Sequence, residues 1–369
     1  MTHNNDSAQV DRAPTTRDDG SLAPGIARVT REQDRHPRRR LAPRHNQTYL
    51  VTGGAGFIGS HLVDALVLRG ERVIIIDDLS TGRLKNIESM IEADAVEWIH
   101  GTVLDEALID RCMREADVCV HLASAVGVQL VLEQPLDSLL VNVRGADIVL
   151  SAAARHGCRL LFASSSEVYG KNGKSSLCED EDRILGSTYK TRWAYSLAKS
   201  FGETLALQYH REFDTQAVVV RLFNTVGARQ ASAYGMVLPR FVRQALRDED
   251  LTVYGNGTQT RCFTHVQDAL HAILKLCDAE PAGGNIYNVG SSTEVPVIEL
   301  ARKVIERTGS ESTVRLIPYE QAFNSGFEEL ARRVPDTSAL RELTGWTPSR
   351  DIDDAIDDVV AFERNLAHH

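Results

Sequence analysis

Val51-Thr-Gly-Gly-Ala-Gly-Phe-Ile-Gly-Ser60 decides the fold of this chain. The stretch follows a short apolar run, Tyr49, Leu50 and Val51, and opens a helical pattern from Ser60 to Leu68. Gly53, Gly56 and Gly59 stand at GxxGxxG spacing. The first glycine permits a tight turn, the second lets a pyrophosphate approach the backbone, and the third lets helix pack close to strand. The N–H groups at the helix start and the helix dipole then face phosphates. A second strand, Arg72 to Ile76, ends in Asp77. Strand, loop, helix, strand and acid together predict a dinucleotide site, against the plainer reading of a structural βαβ turn.

Working outward, short β-branched runs alternate with amphipathic stretches. Strands are predicted at Thr48–Val51, Val73–Ile76, Val96–His100, Val118–Leu122, Leu160–Ala163 and Ala217–Leu222, with helices between them such as Leu136–Ala154 and Ala194–Arg211. This alternation predicts an α/β fold: a Rossmann-type, doubly wound parallel sheet. After about Arg221 the regularity fades. Short strands at Thr252–Tyr254, Ile286–Val289 and Val314–Ile317 mix with helices at Val237–Leu246, Gln267–Cys277 and Pro296–Arg307. The expected organisation is a tail over 1–46, a dinucleotide-binding domain with a catalytic helix over 47–222, and a smaller α/β substrate-binding lobe over 223–369, partly interleaved with the first.

Composition limits the function. A formal net charge of -10 argues against general nucleic-acid binding, which needs a basic face. No apolar run approaches the roughly 20 residues of a membrane span. The six cysteines are scattered without a CxxC pair, so they read as reduced thiols of a cytoplasmic protein, with no metal site expected. His61, His121 and His265 read as packing or capping residues. Residues 1–46 are polar and poor in large apolar groups, and are expected to be disordered. Their Arg38-Arg39-Arg40 run lacks the apolar segment of a secretory signal and reads as part of a solvated tail.

Three groups carry chemistry. Asp77, seconded by Asp78, can accept from an adenosine ribose and repels a 2′-phosphate, favouring NAD over NADP; a turn or capping aspartate is the bland alternative. Ser164, Ser165, Ser166 and Glu167 follow an apolar strand and would stand at its carboxyl end, though serines there also form ordinary turns. Tyr195 and Lys199, at i and i+4, share one helix face. A lysine ammonium beside the phenol would lower its pKa, letting Tyr195 remove a proton from a sugar hydroxyl.

With these residues in view, the chain resembles the extended short-chain dehydrogenases/reductases that act on nucleotide sugars. The likeness runs from about Tyr49 to about Trp346 through GGAGFIGSH, HLAS (His121–Ser124), VNVRG (Val141–Gly145), SSEVYG, YSLAK, RLFNTVG (Arg221–Gly227) and TVYGNGTQTRCFTHVQD (Thr252–Asp268). The resemblance implies a proton-handling triad of Ser165, Tyr195 and Lys199. It implies NAD contacts from Gly53, Gly56, Phe57, Ile58, Gly59, Asp77, Asp78, Thr102, Val103, Leu122, Ala123, Ser124, Asn142, Tyr195 and Lys199. It also implies a nucleotide diphosphate held by Asn224, Arg229 and Arg261. Arginines suit forked phosphate contacts, although Arg229 also reads as a surface loop charge. One departure is Thr102, which stands where many relatives place an aspartate against adenine. A homodimer packed through the YxxxK helix and a neighbour is expected on the same ground.

Family members epimerise, dehydrate or decarboxylate after oxidising C4 of the sugar. The chain is most similar to the UDP-glucuronate decarboxylases: Ser166 and Glu167 match their active-site Ser-Glu pair and Arg333 an active-site arginine. The acidic loop Glu179–Asp182 and Lys190-Thr-Arg-Trp193 ahead of YSLAK share the likeness. A nucleotide-sugar 4-epimerase and a 4,6-dehydratase are the rival enzymes. A catalytically silent NAD-binding protein is the rival outside enzymes.

Overall fold

The computed structural model describes residues 46–127, 134–231, 236–322 and 332–367. The expected tail over 1–46 lies, but for Asn46, outside the described residues. In chain order the first half reads β1 (Thr48–Thr52), α1 (Phe57–Leu68), β2 (Arg72–Asp77), α2 (Glu88–Glu92), β3 (Glu97–His100), α3 (Glu106–Glu115), β4 (Val118–His121), α4 (Pro135–His156), β5 (Arg159–Ser165), α5 (Ala194–Phe213) and β6 (Ala217–Leu222). It continues with β7 (Thr225–Val226), α6 (Val237–Ala245), β8 (Leu251–Tyr254), β9 (Thr260–Cys262), β10 (Thr264–His265), α7 (Val266–Asp278), β11 (Ile286–Val289), β12 (Glu294–Pro296), α8 (Val297–Thr308), β13 (Val314–Ile317), α9 (Tyr319–Ala322), α10 (Ser338–Thr344) and α11 (Ile352–Ala367).

Seven strands form one parallel sheet in the order β11-β6-β5-β4-β1-β2-β3. The order reverses between β1 and β4, so a crevice opens beyond their carboxyl ends. The glycine loop leaves β1 at that point. The strands read as nearly unbroken apolar runs because both faces are covered. One face packs Val51, Ile75, Val120 and Val220 against α1 and α7; the other packs Leu50, Ile74, Cys119 and Phe162 against α3, α4 and α5.

Two local devices set helix positions. Gly157 ends α4 in the left-handed region, at φ 63°. Gly202 faces β5: a Cβ there would lie 2.3 Å from Phe162 Cζ, so glycine lets α5 settle against the strand. That approach brings the Tyr195–Lys199 turn to the end of β5.

The later chain builds a second core of its own. Leu238, Phe241 and Val242 of α6, Leu251 and Val253 of β8, Leu300 and Val304 of α8, and Ile356 and Val359 of α11 are buried together. Ile286–Val289, expected among the irregular strands of the smaller lobe, is instead the seventh strand of the main sheet. Its backbone pairs in parallel with β6, Ile286 opposite Val219 through Val289 opposite Leu222. No helix among the described residues is long and apolar enough to cross a membrane.

Candidate active site

The glycine loop folds back on itself with no room for side chains. Gly53 adopts φ +75°, and a Cβ on it would lie 2.7 Å from the Ala123 nitrogen beyond β4. A Cβ on Gly59 would lie 2.0 Å from the Gly53 carbonyl oxygen. Gly56 precedes α1 without a side-chain cap, which leaves the first N–H groups of that helix facing the crevice. Asp77 ends β2 with one carboxylate oxygen accepting the Ala55 N–H at 2.9 Å and the other accepting the Leu79 N–H at 2.8 Å. Burial raises its pKa, and those N–H groups oppose the rise. Asp77 thus fastens the loop to the second strand, while Asp78 is exposed and accepts from Ser80 N–H. A side-chain-free cradle, an uncapped helix start and an acid at the strand end fit a dinucleotide.

Around the crevice, Val103 is buried in the sheet core against the position of Gly145. Thr102 accepts the Leu104 N–H through its own hydroxyl. Asn142 of α4 accepts from Ser124 Oγ at 2.8 Å and from Ala125 N–H at 3.1 Å, holding the segment after β4.

Tyr195 sits in the first turn of α5, and its hydroxyl is hydrogen-bonded to Ser124 and Ser165. Lys199, one turn on, is buried and donates to the Ala163 carbonyl at 2.8 Å. Its Nζ stands 5.8 Å from the centre of the Tyr195 ring. The expectation that this ammonium lowers the phenol's pKa is corrected here. Burial, then the Glu167 charge, raise the Tyr195 pKa, and the two serine hydrogen bonds oppose them. Burial also pulls Lys199 down to about 8, against the charge of Glu203, which raises it.

Glu167 lies on a 3-10 turn directly after β5, whose start is set by Ser165 Oγ accepting the Glu167 N–H at 3.2 Å. One Glu167 oxygen meets Arg333 Nη1 at 2.5 Å and the other meets Arg192 Nη2 at 2.5 Å. Desolvation would raise the carboxyl's pKa, but the two guanidiniums outweigh it and hold Glu167 at about 2. Glu167 is therefore a carboxylate near neutral pH. Ser166 is buried.

Arg333 arrives from 166 positions away. Its segment runs beside Leu177: the Leu177 N–H donates to Val334 O and the Asp336 N–H donates to Leu177 O, each at 2.9 Å. Asn288 at the end of β11 then donates its amide to Leu177 O and Asp336 O. Arg332 points the other way, onto Glu294, while Arg333 turns inward.

Of the residues expected at the nucleotide diphosphate, Arg261 contributes charge that depresses the Arg333 pKa further, after burial. Asn224 donates its amide to Cys262 O at 3.2 Å. Arg229 is paired with Asp64 of α1 at 2.7 Å, so its guanidinium already has an acidic partner on the glycine-loop helix. Two residues were missed as site residues, Arg192 and Glu203, while Ser124, expected at NAD, also bonds Tyr195. Arg192 had a signal in its place three residues before Tyr195. The histidines act as expected locally: His265 caps α7, and His121 shares a hydrogen bond with Thr52.

Comparison with known proteins places this architecture. The model of the NAD dependent epimerase/dehydratase family matches residues 49–290. The chain belongs to that family. As a member of the NAD dependent epimerase/dehydratase family it is an enzyme whose cofactor is NAD. It is 38% identical over 318 residues to a UDP-N-acetyl-alpha-D-glucosaminuronate decarboxylase of Bacillus cytotoxicus, covering 86% of this chain and 98% of that one. It is 32% identical to UDP-glucuronic acid decarboxylase 1 of Danio rerio, covering 89% and 75%. Among solved structures, the UDP-glucuronic acid 4-epimerase from Bacillus cereus, in complex with UDP-glucuronic acid and NAD, superposes with a TM-score of 0.78 at 26% identity, covering 86% and 99%.

Proposed function

We propose that this chain decarboxylates UDP-glucuronate. The observation that carries the proposal is the buried Glu167–Arg333 contact beside the Tyr195–Ser165 hydroxyl pair. A site for simple return of a rotated sugar needs no such group; a site that handles an acidic sugar does. Similarity to decarboxylases of two UDP-hexuronates supports it.

The chemistry runs through this chain's own residues. Tyr195 accepts the C4 hydroxyl proton only in its ionised form: burial and the Glu167 charge raise its pKa, and the hydrogen bonds with Ser165 and Ser124 oppose that rise and favour the anion. Lys199, fixed on Ala163 O, supplies positive charge beneath it. NAD, when bound, is the oxidant for C4 and in its reduced form can reduce the later ketone. The 4-ketone makes the sugar a β-keto acid. Its carboxyl leaves as carbon dioxide while the C4 oxygen takes the electron pair as an enolate. Arg333 is placed to orient the carboxylate and steady the oxyanion. Glu167, ionised, positions a water or hydroxyl that protonates C5. The nucleotide diphosphate is assigned to Asn224 and Arg261, with Arg229 joining only if it leaves Asp64.

We also infer a homodimer. Leu136 on α4 and Leu197 and Phe201 on α5 are 65%, 52% and 43% exposed, and α4 and α5 pack side by side, an apolar surface suited to a second copy. Buried thiols such as Cys112, Cys119, Cys262 and Cys277, none of them in a disulfide, favour a reducing, cytoplasmic setting.

The test is incubation with UDP-glucuronate, with and without NAD, followed by mass analysis; UDP-N-acetylglucosaminuronate is run in parallel. Loss of carbon dioxide from the first is expected. Unchanged mass with inverted C4 stereochemistry would replace the proposal with an epimerase. Loss of water from UDP- or dTDP-glucose would replace it with a dehydratase. Tyr195→Phe should lower turnover by about 100-fold or more in any of the three.

A further inference from the structure

Glu167 and Arg333 meet at 2.5 Å although 166 positions separate them. The contact is only as good as whatever fixes the two backbones. Glu167 lies on the 3-10 turn Ser166–Tyr169, and Arg333 leads into the Val334–Asp336 stretch held beside Leu177. One buried side chain reaches both segments. Asn288 Oδ1 accepts the Tyr169 hydroxyl at 2.8 Å. Its amide nitrogen donates to Leu177 O at 2.8 Å and to Asp336 O at 3.0 Å. Its backbone N–H donates to Glu179 Oε1 at 2.7 Å. The oxygen and both amide hydrogens are thus engaged, and an asparagine supplies that acceptor and those two donors from a short stem. Asn288 stands opposite Arg221 in the parallel β6–β11 ladder, and Arg221 Nη1 donates to Glu179 O at 2.8 Å. The hub is therefore rooted in sheet backbone. Two residues on, a Cβ on Gly290 would lie 2.9 Å from Pro335 Cγ, so the Arg333 segment packs directly on the end of β11.

We propose that Asn288 is a positioning residue that sets Arg333 against Glu167, by tying the turn of the one and the segment of the other to the seventh strand of the sheet. The role rests on the decarboxylase reading for the step it serves. Asn288 acts through Tyr169, Leu177 and Asp336. A buried ion pair is favourable only where its geometry is well held. Preorganised groups help a reaction only when they need not be rearranged during it. Without the carboxamide, the turn and the Arg333 segment lose their common tether. A misplacement of about 1 Å can cost on the order of 100-fold in rate. Tyr195 and Lys199 are held by other partners: the Ser124 and Ser165 hydroxyls and the Ala163 carbonyl. Oxidation at C4 is therefore spared, while loss of carbon dioxide is slowed.

The experiment compares wild type, Asn288→Ala and Tyr169→Phe in single turnover with NAD and UDP-glucuronate. Absorbance of the reduced nicotinamide follows oxidation, and trapped carbon dioxide follows decarboxylation. Asn288→Ala should slow carbon dioxide release by about tenfold or more and oxidation by no more than about twofold. Tyr169→Phe removes one hydrogen bond only and should show the same selectivity at smaller size; it decides if Asn288→Ala does not fold. A second readout needs no turnover. Arg333 and Arg192 hold Glu167 ionised, so stability falls as pH drops from 4.5 toward 2; Tyr195, which also faces Glu167, stays neutral in that range. Loosening Arg333 should flatten that fall in urea unfolding, and the same substitution should leave the slope unchanged in a Glu167→Gln background. Equal slowing of both steps, or an acid slope that Asn288→Ala does not move, would overturn the positioning role. A wild type that releases no carbon dioxide overturns the decarboxylase reading alone, and the acid slope then decides for Asn288.

Discussion

Glu203→Gln tests how the catalytic helix is held. Glu203 and Arg221 are 1% and 3% exposed. Arg221 Nε and Nη2 meet the two Glu203 oxygens at 2.9 and 2.8 Å, and Ser164 Oγ donates to the same carboxylate at 2.5 Å. Arg221 Nη1 donates to Glu179 O, and its guanidinium lies 4.7 Å from the Tyr169 ring centre. The amide keeps the volume but leaves a buried guanidinium facing only neutral acceptors. Removing one partner of such a pair costs about 3–5 kcal/mol. Against a total of about 5–15 kcal/mol, that is a third or more of ordinary domain stability. A second effect reaches Lys199, one helical turn away. Glu203 is the charge that raises its pKa against burial, so the variant moves it further below about 8. The ammonium then deprotonates at lower pH, and the alkaline limb of kcat/KM should move down. Urea unfolding at unchanged m-value reads the first effect, and the pH profile reads the second. Pairing Glu203→Leu with Arg221→Met should restore most of the stability and leave the shifted limb. A loss below about 1 kcal/mol in the single variant, or a double variant as unstable as the single, would refute the account.

Gly59→Ala should abolish NAD binding, because its Cβ would meet the Gly53 carbonyl at 2.0 Å and push α1 off the loop; titration with NAD at unchanged affinity would refute the cradle. Glu167 sets an acid-stability window. Its folded pKa of about 2 is depressed from 4.5, so its contribution is complete above pH 4.5 and is lost as pH falls toward 2. Glu167→Gln should therefore flatten the fall in stability between those values; an unchanged acid limb would show that the two arginines do not hold the carboxylate as described.

The sheet was legible because its evidence is local. Apolar runs such as Val73–Ile76 and 3.6-period helices such as Ala194–Arg211 announce themselves within a dozen residues. Ile286–Val289 was legible as a strand but not as the seventh strand of the main sheet, since its place depends on pairing with β6, more than 60 positions earlier. Residue type likewise outran partner. Arg229 is a cation suited to phosphate, yet Asp64 holds it. Tyr195 and Lys199 share a face as their spacing requires, but the depth of burial that sets both pKa values comes from Gly202 letting α5 close on Phe162.

Arg192, Tyr195, Lys199 and Glu203 are spaced by three, four and four residues. On a continuous helical path that spacing forms one stripe, and the 3-10 turn Thr191–Trp193 runs directly into α5. A stripe facing a sheet is ordinarily apolar. Here every member is polar or charged, and each has a defined partner: Glu167 for Arg192, the two serine hydroxyls for Tyr195, Ala163 O for Lys199 and Arg221 for Glu203. Such an arrangement is costly to bury unless the groups are paired, so the polar stripe was itself a signal of function. YxxxK motif reading captures only its middle two members. Extending the same period one step in each direction finds an arginine paired with Glu167 at one end and the buried ion pair that anchors the helix at the other. One rigid element thus carries the arginine paired with Glu167, the proposed proton acceptor, its neighbouring lysine and their common anchor. Glu203→Gln should therefore be felt along the stripe, changing both stability and the alkaline limb.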